Sequence, residues 1–143
     1  MVEDRQRARE LLADLEELLD QLHEKQGVSY GQYEADVDLQ DIVERRLEKS
    51  CQTCIDLGRL IGRLEGTDLG DATNTEVFVE LVGARVLPKS RRQEFIDIGG
   101  LRNVLAHRYR HVNDEEIYEI YHDLEPFERF SEAIYHYLHG GTD

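Results

Sequence analysis

Apolar residues recur three and four positions apart along most of this chain, the spacing that gathers side chains on one face of an α-helix. Between Glu3 and Lys25 the stripe is Leu11, Leu15, Leu18 and Leu22, with Leu12 and Leu19 beside it, and Gly27 closes it. A second long stripe runs through Leu39, Val43, Leu47, Cys54, Leu57, Ile61 and Leu64, opened by Asp38 or Asp41 and ended near Gly66. These two helices should lie antiparallel. Thr73 and Glu76 have capping-box spacing ahead of Val77, Phe78, Leu81 and Val82, which predicts a short helix stopping before Pro88. Phe95, Ile98, Leu101 and Leu105 form a fourth stripe, interrupted by Gly99-Gly100, a pair that would let a neighbouring backbone approach closely. Asn113 and Glu116 open a last stripe through Ile117, Tyr121, Leu124, Ile134 and Leu138, which Pro126 should kink ahead of Gly140-Gly141.

No alternating run bounded by hairpin turns interrupts this pattern, so the expected architecture is an all-α antiparallel bundle of about five helices. The irregular stretch from Gly66 to Thr73 is too short to divide the chain, and 143 residues suit one domain over 1–143. No stretch approaches the roughly 18 consecutive apolar residues of a membrane span. Met1-Val2-Glu3-Asp4-Arg5 opens without the apolar core of a signal peptide, so a cytoplasmic protein is expected.

Candidate metal and nucleotide motifs are few. With only Cys51 and Cys54 present, a disulfide scaffold is excluded. Their C-x-x-C spacing lacks the second ligand pair of a structural zinc site, and both fall within an apolar helical pattern, which favours packing. Asp36, Asp38 and Asp41 lack the central glycine and terminal glutamate of a calcium loop and read as a solvated helix start. No GxxxxGK[ST], GxGxxG or HExxH is present.

Charge changes the picture. Seventeen Lys and Arg residues against 31 Asp and Glu give a formal net charge of -14, which repels phosphates unless basic residues are collected in one place. They are collected in part: Arg85, Lys89, Arg91, Arg92, Arg102, Arg108 and Arg110, with only Glu94 and Asp97 among them, give the stretch from Arg85 to Arg110 a local +5 inside a body of -19. Either this is a surface for nucleic acid, or the arginines pair with acidic neighbours on adjacent helices.

Of six histidines, His23, His122, His136 and His139 are expected to face solvent. His107 and His111 are four apart, a spacing that can chelate on a helix, but no acidic third ligand stands at a matching offset. The segment Arg102-Asn103-Val104-Leu105-Ala106-His107-Arg108-Tyr109 differs from the rest. If the helix continues through it, Arg102 and Tyr109 nearly eclipse, and Asn103 and His107 share the adjacent face. Histidine moves protons near neutral pH, arginine holds a phosphate through two parallel hydrogen bonds, and asparagine orients either. That set suits metal-free cleavage of a phosphodiester by an internal 2′-hydroxyl; by geometry alone it equally suits a polar helix end.

Arg102-Asn103-x-x-x-His107-x-Tyr109 resembles the R-x4-H-x-Y motif of HEPN-domain toxins, specifically the HepT-like family. The resemblance extends from about Leu11 to Leu138, through Ile55-Asp56-Leu57-Gly58, Val77-Phe78-Val79-Glu80-Leu81, Leu87-Pro88 and Gly100 to His107. It implies a helical bundle that dimerises with two motif copies facing each other across a cleft, acting as a metal-independent endoribonuclease without cofactor. His107 would then serve as acid and base, Arg102 would stabilise charge on the phosphate, and Asn103 would support them. Arg91, Arg92, Arg108 and Arg110 would be candidate RNA contacts. The resemblance further implies an antitoxin of minimal nucleotidyltransferase fold, MntA-like, that adds AMP to Tyr109 and so puts bulk and negative charge where RNA approaches. The alternatives are a non-catalytic HEPN module that binds a nucleotidyltransferase partner or nucleotides, and an unrelated helical adaptor.

Overall fold

The computed structural model describes residues 2–107 and 113–140, and among these every regular element is helical. The helices are α1 (Val2–Glu24), α2 (Tyr30–Glu34), α3 (Val37–Leu64), α4 (Asn74–Gly83), α5 (Arg92–Ala106), α6 (Asp114–His122) and α7 (Glu125–His139), with a 3-10 turn at Lys89–Arg91 leading into α5. The all-α architecture agrees with the apolar periodicity, whereas the expected count of about five helices falls short of the seven described.

Two local causes account for the difference. Ser29 and Gln32 form a reciprocal capping box, each side chain bonding the other residue's backbone N–H, and this sustains the five-residue α2. The final stripe is two helices rather than one kinked helix. Asp123 is extended (φ -132°, ψ 85°), and Pro126 sits in the first turn of α7, where its missing N–H leaves no intrahelical bond unmade. The start of α3 also shifts: Asp36, not Asp38 or Asp41, is the cap, its Oδ1 accepting the Leu39 N–H at 3.0 Å. The Thr73–Glu76 capping box of α4 and the Asn113 cap of α6 form as expected.

Helices α1 and α3 pack antiparallel, with Arg63 near the end of α3 paired to Asp4 at the start of α1 (Nε–Oδ2 3.2 Å). Helix α7 also runs against α1: Arg5 donates to the Leu138 carbonyl, and His23 meets Glu128 at 3.2 Å. Buried side chains from all seven helices join one contiguous core, with Phe78, Phe95 and Phe130 in edge contacts and Tyr33, Tyr118 and Tyr121 in a second aromatic group. Cys51 and Cys54 are fully buried within it as free thiols. Burial pushes the Cys51 thiol far above its ordinary range, with Glu48 adding to the rise and Arg102 opposing it.

The Gly99-Gly100 pair behaves asymmetrically. A Cβ on Gly99 would lie 2.6 Å from the Asn74 backbone oxygen, so the first turn of α4 rests directly on the α5 backbone. A Cβ on Gly100 would meet nothing within 4 Å. Gly99→Ala should therefore destabilise the fold by about 1–3 kcal/mol, because backbone must yield. Gly100→Ala should be neutral or stabilise by about 0.5–1 kcal/mol, through the lower entropy cost of alanine in a helix. Urea unfolding of the two variants checks this, and equal effects would contradict the packing described.

Candidate active site

Helix α5 buries Phe95, Ile98 and Leu105, and Arg102 falls on the same stripe by its spacing of four and three from Ile98 and Leu105. Its side chain is consequently half-buried and directed at α3, where the Nε–H donates to Gln52 Oε1 at 2.8 Å. The Gln52 amide in turn donates from Nε2 to Asp56 Oδ1 at 2.8 Å. One position further along α5, Asn103 is exposed and turns towards α4: its Oδ1 accepts from Asn74 Nδ2 at 2.8 Å. Asn74 Oδ1 lies 3.5 Å from Arg59 Nη2, and the Arg59 guanidinium also donates to the Leu69 and Ala72 carbonyls, tying down the loop between α3 and α4.

His107 does not extend the helix. Helix α5 ends at Ala106, and His107 is its C-cap (φ -102°, ψ 63°), with its N–H reaching the Val104 carbonyl at 3.3 Å. The expectation that Asn103 and His107 share a continuing helical face is therefore corrected: the imidazole is carried on the C-cap of α5, and it is exposed. Val104, inside the same segment, is 54% exposed although apolar. Tyr109, Arg108, Arg110 and His111 lie outside the described residues.

The other basic candidates are spread out. Arg91 and Arg92 stand at the N-terminal end of α5, ten residues and thus about 15 Å along the helix from Arg102. Arg91 lies 3.9 Å from Glu94, a surface pair with an acidic neighbour and not a free phosphate contact. Ile98, Leu101, Ile120, Pro126 and Phe127 floor a trough of about 450 Å³ between α5, α6 and α7, rimmed by Glu94, Asp97, Glu116, Glu119 and Asp123, of which Glu94 is bound by Arg129 at 3.0 Å.

Among the remaining histidines, His23, His136 and His139 are exposed, as expected. His122 is not: it is half-buried, with Nδ1 2.8 Å from the Tyr118 carbonyl and Nε2 2.8 Å from the Gln26 carbonyl, and it joins α6 to the turn after α1. Among the described residues no group of three or more His, Cys, Asp or Glu side chains is arranged to hold a metal ion. No helix among them is long and apolar enough to cross a membrane.

The sequence reading missed Gln52, Asp56, Arg59 and Asn74, all in hydrogen-bonded contact with Arg102 or Asn103, directly or through one another. A signal was present: Gln52, Asp56 and Arg59 recur four and three apart in a stretch of α3 that also holds Cys54, Ile55, Leu57 and Gly58. Their partners on α4 and α5 are distant in sequence and could not be read from that spacing.

The model of the family described as ribonuclease HepT-like matches residues 9–134. The chain belongs to the HepT-like ribonuclease family. The mRNA nuclease HepT of Shewanella oneidensis is 29% identical over 105 residues, covering 73% of this chain and 78% of that one. The tRNA nuclease HepT of Aphanizomenon flos-aquae is 28% identical over 101 residues, 70% of this chain and 67% of that one. Among solved structures, a toxin–antitoxin complex with AMP-PNP contains a chain of 25% identity and TM-score 0.78, covering 90% of this chain and 96% of that one. The tri-AMPylated Shewanella oneidensis HEPN toxin in complex with MNT antitoxin has the same fold, at 23% identity and TM-score 0.77 with the same coverage. Within this HepT-like bundle His122 is a strut between helices. His122→Ala should lower unfolding stability in urea by about 1–3 kcal/mol, the usual cost of leaving buried polar groups unpaired, and an unchanged midpoint would refute the role.

Proposed function

We propose that this HepT-like chain is the toxin of a toxin–antitoxin pair, a metal-independent endoribonuclease that cleaves RNA with Arg102 and His107. The observation that carries the reading is the end of α5, where a half-buried arginine gripped by Gln52 lies five residues before an exposed histidine on the helix cap. Two relatives named as mRNA and tRNA nucleases support RNA as the substrate class. His107 removes the proton of the ribose 2′-hydroxyl, and the 2′-oxygen attacks the adjacent phosphorus. The bond to the 5′-oxygen of the next nucleotide breaks, leaving a 2′,3′-cyclic phosphate, and that oxygen leaves as a hydroxyl once it takes up a proton. Arg102 stabilises the negative charge that accumulates on the phosphoryl oxygens, and Asn103 adds a polar contact.

Val104 argues for a second copy, since an apolar side chain 54% exposed within the motif segment is covered if two motif surfaces face each other. In that dimer the motif copies line one cleft, and Arg108 and Arg110 supply further RNA contacts; Arg91 and Arg92 reach only RNA that extends along α5. The partner that neutralises the toxin is a nucleotidyltransferase-fold antitoxin. It transfers AMP from ATP to the Tyr109 oxygen, forming the tyrosyl–phosphate bond and releasing pyrophosphate. The AMPylated HEPN toxin in complex with MNT antitoxin supports that chemistry. The acid-rimmed trough between α5, α6 and α7 suits an antitoxin surface of opposite charge.

The purified chain should cleave RNA in excess EDTA. His107→Ala should reduce the rate by about 10²–10⁴-fold, the usual worth of a positioned acid–base group. An inert wild-type chain that still binds a nucleotidyltransferase would instead support the non-catalytic module. Intact-mass measurement after co-expression with the cognate antitoxin should reveal added AMP that is absent from Tyr109→Phe, and an unmodified wild-type mass would overturn the modification.

A further inference from the structure

Seven of the nine residues from Cys54 to Gly62 are buried, and the two that are not, Asp56 and Arg59, anchor two hydrogen-bonded strings that end on consecutive motif residues. In one string Asp56 accepts from the Gln52 amide nitrogen, and Gln52 offers its oxygen to Arg102 Nε. In the other, Arg59 donates to the Asn74 oxygen, and Asn74 offers its nitrogen to the Asn103 oxygen. The charged anchor decides the direction of each string. A flipped Gln52 would set oxygen against the Asp56 carboxylate and nitrogen against the Arg102 N–H, and a flipped Asn74 would set nitrogen against the Arg59 guanidinium.

We propose that Gln52, held by Asp56, and Asn74, held by Arg59, are positioning residues that fix the Arg102 guanidinium plane and turn the Asn103 amide so that it presents a donor to the substrate phosphate. The proposal rests on the ribonuclease reading of the α5 terminus. Its physical content is preorganisation. An arginine bound side-on at Nε has a fixed plane in which its terminal nitrogens lie, the orientation that two parallel bonds to a phosphate require. Asn103, with its oxygen already engaged by Asn74, has Nδ2 as its other polar group, which suits an anionic oxygen. The pattern of substitutions that follows is specific to positioning. Gln52→Leu removes the acceptor, whereas Gln52→Glu combined with Asp56→Asn keeps one for the Arg102 N–H and gives position 56 a donor for the second carboxylate oxygen. Asn103→Asp replaces a donor with a negative charge, whereas Asn103→Ala removes it.

The test measures cleavage of a fluorogenic RNA oligonucleotide alongside the Arg102 Nε–Hε signal in ¹⁵N spectra, assigned by its loss in Arg102→Lys. Gln52→Leu should lower kcat by about 10–100-fold with KM within about twofold, as misplacement of a catalytic group does. Gln52→Glu combined with Asp56→Asn should recover most of that loss, and Asn103→Asp should fall below Asn103→Ala. The Arg102 signal should exchange slowly with water in the wild type and rapidly in Gln52→Leu. Equal kcat in wild type and folded Gln52→Leu, or no rescue by Gln52→Glu combined with Asp56→Asn, overturns the proposal. If Gln52→Leu fails to fold, Asp56→Ala takes its place: it removes the acceptor that holds the Gln52 amide from an exposed site and should give a partial loss of kcat, and an unchanged rate overturns the proposal. A wild-type chain that cleaves no RNA but has the protected Arg102 signal, lost in Gln52→Leu, overturns the ribonuclease reading and leaves the positioning geometry standing.

Discussion

The enclosure of α3 is the constraint from which the rest of the molecule follows. Helix α3 packs against α1, α4 and α5, and seven of the nine positions from Cys54 to Gly62 are buried and apolar or small. A helix in that situation can keep a polar side chain only where a neighbour supplies a hydrogen-bond partner, since burying one without compensation costs kcal/mol on the scale of the whole stability margin. Arg59, half-buried, meets that condition through the loop carbonyls and Asn74, whereas Asp56 stands exposed at the edge of the packed face and accepts from Gln52. The packing core and the polar surroundings of Arg102 and Asn103 are thus two faces of one helix.

The close approach of α4 to α5 serves the same end. Because Gly99 has no side chain, the Asn74 backbone can rest on α5, and the Asn74 amide then comes within hydrogen-bond reach of Asn103, four residues further along. Thr73 and Glu76 cap that same turn, and the Glu76 carboxyl is held below its ordinary range chiefly by the Thr73 backbone N–H it accepts. Capping, glycine packing and the orientation of Asn103 therefore share one turn of chain.

Electrostatics acts through geometry more than through net charge. The stretch from Arg85 to Arg110 is basic as a sequence, yet α5 separates Arg92 from Arg102 by about 15 Å, more than the reach of a single phosphate contact. Arg102 is distinguished from Arg91 and Arg92 by lying on the inward stripe of its helix, where Gln52 holds it, while Arg91 pairs weakly with Glu94 at the surface. Acidic side chains rim the trough where α5 meets α6 and α7, with Glu94 among them bound by Arg129.

The amino-acid pattern by itself determined the helical class, the antiparallel pairing of α1 and α3, the capping box of α4, the burial of Cys51 and Cys54, and the Arg102–His107 motif with its family resemblance. Each of these is a matter of periodicity or of residues near in sequence, where a helix turn brings the relevant groups together. The Ser29–Gln32 box was equally local and was overlooked because α2 is too short to show a period. Tertiary structure alone decided that α5 stops at Ala106, that Pro126 begins a helix instead of bending one, and that His122 ties α6 to the turn after α1. It also decided that Gln52 and Asn74, 50 and 29 residues from their partners, are the groups that grip Arg102 and Asn103. A hydrogen bond at that separation depends on where three helices come to rest against one another, which no spacing along the chain encodes.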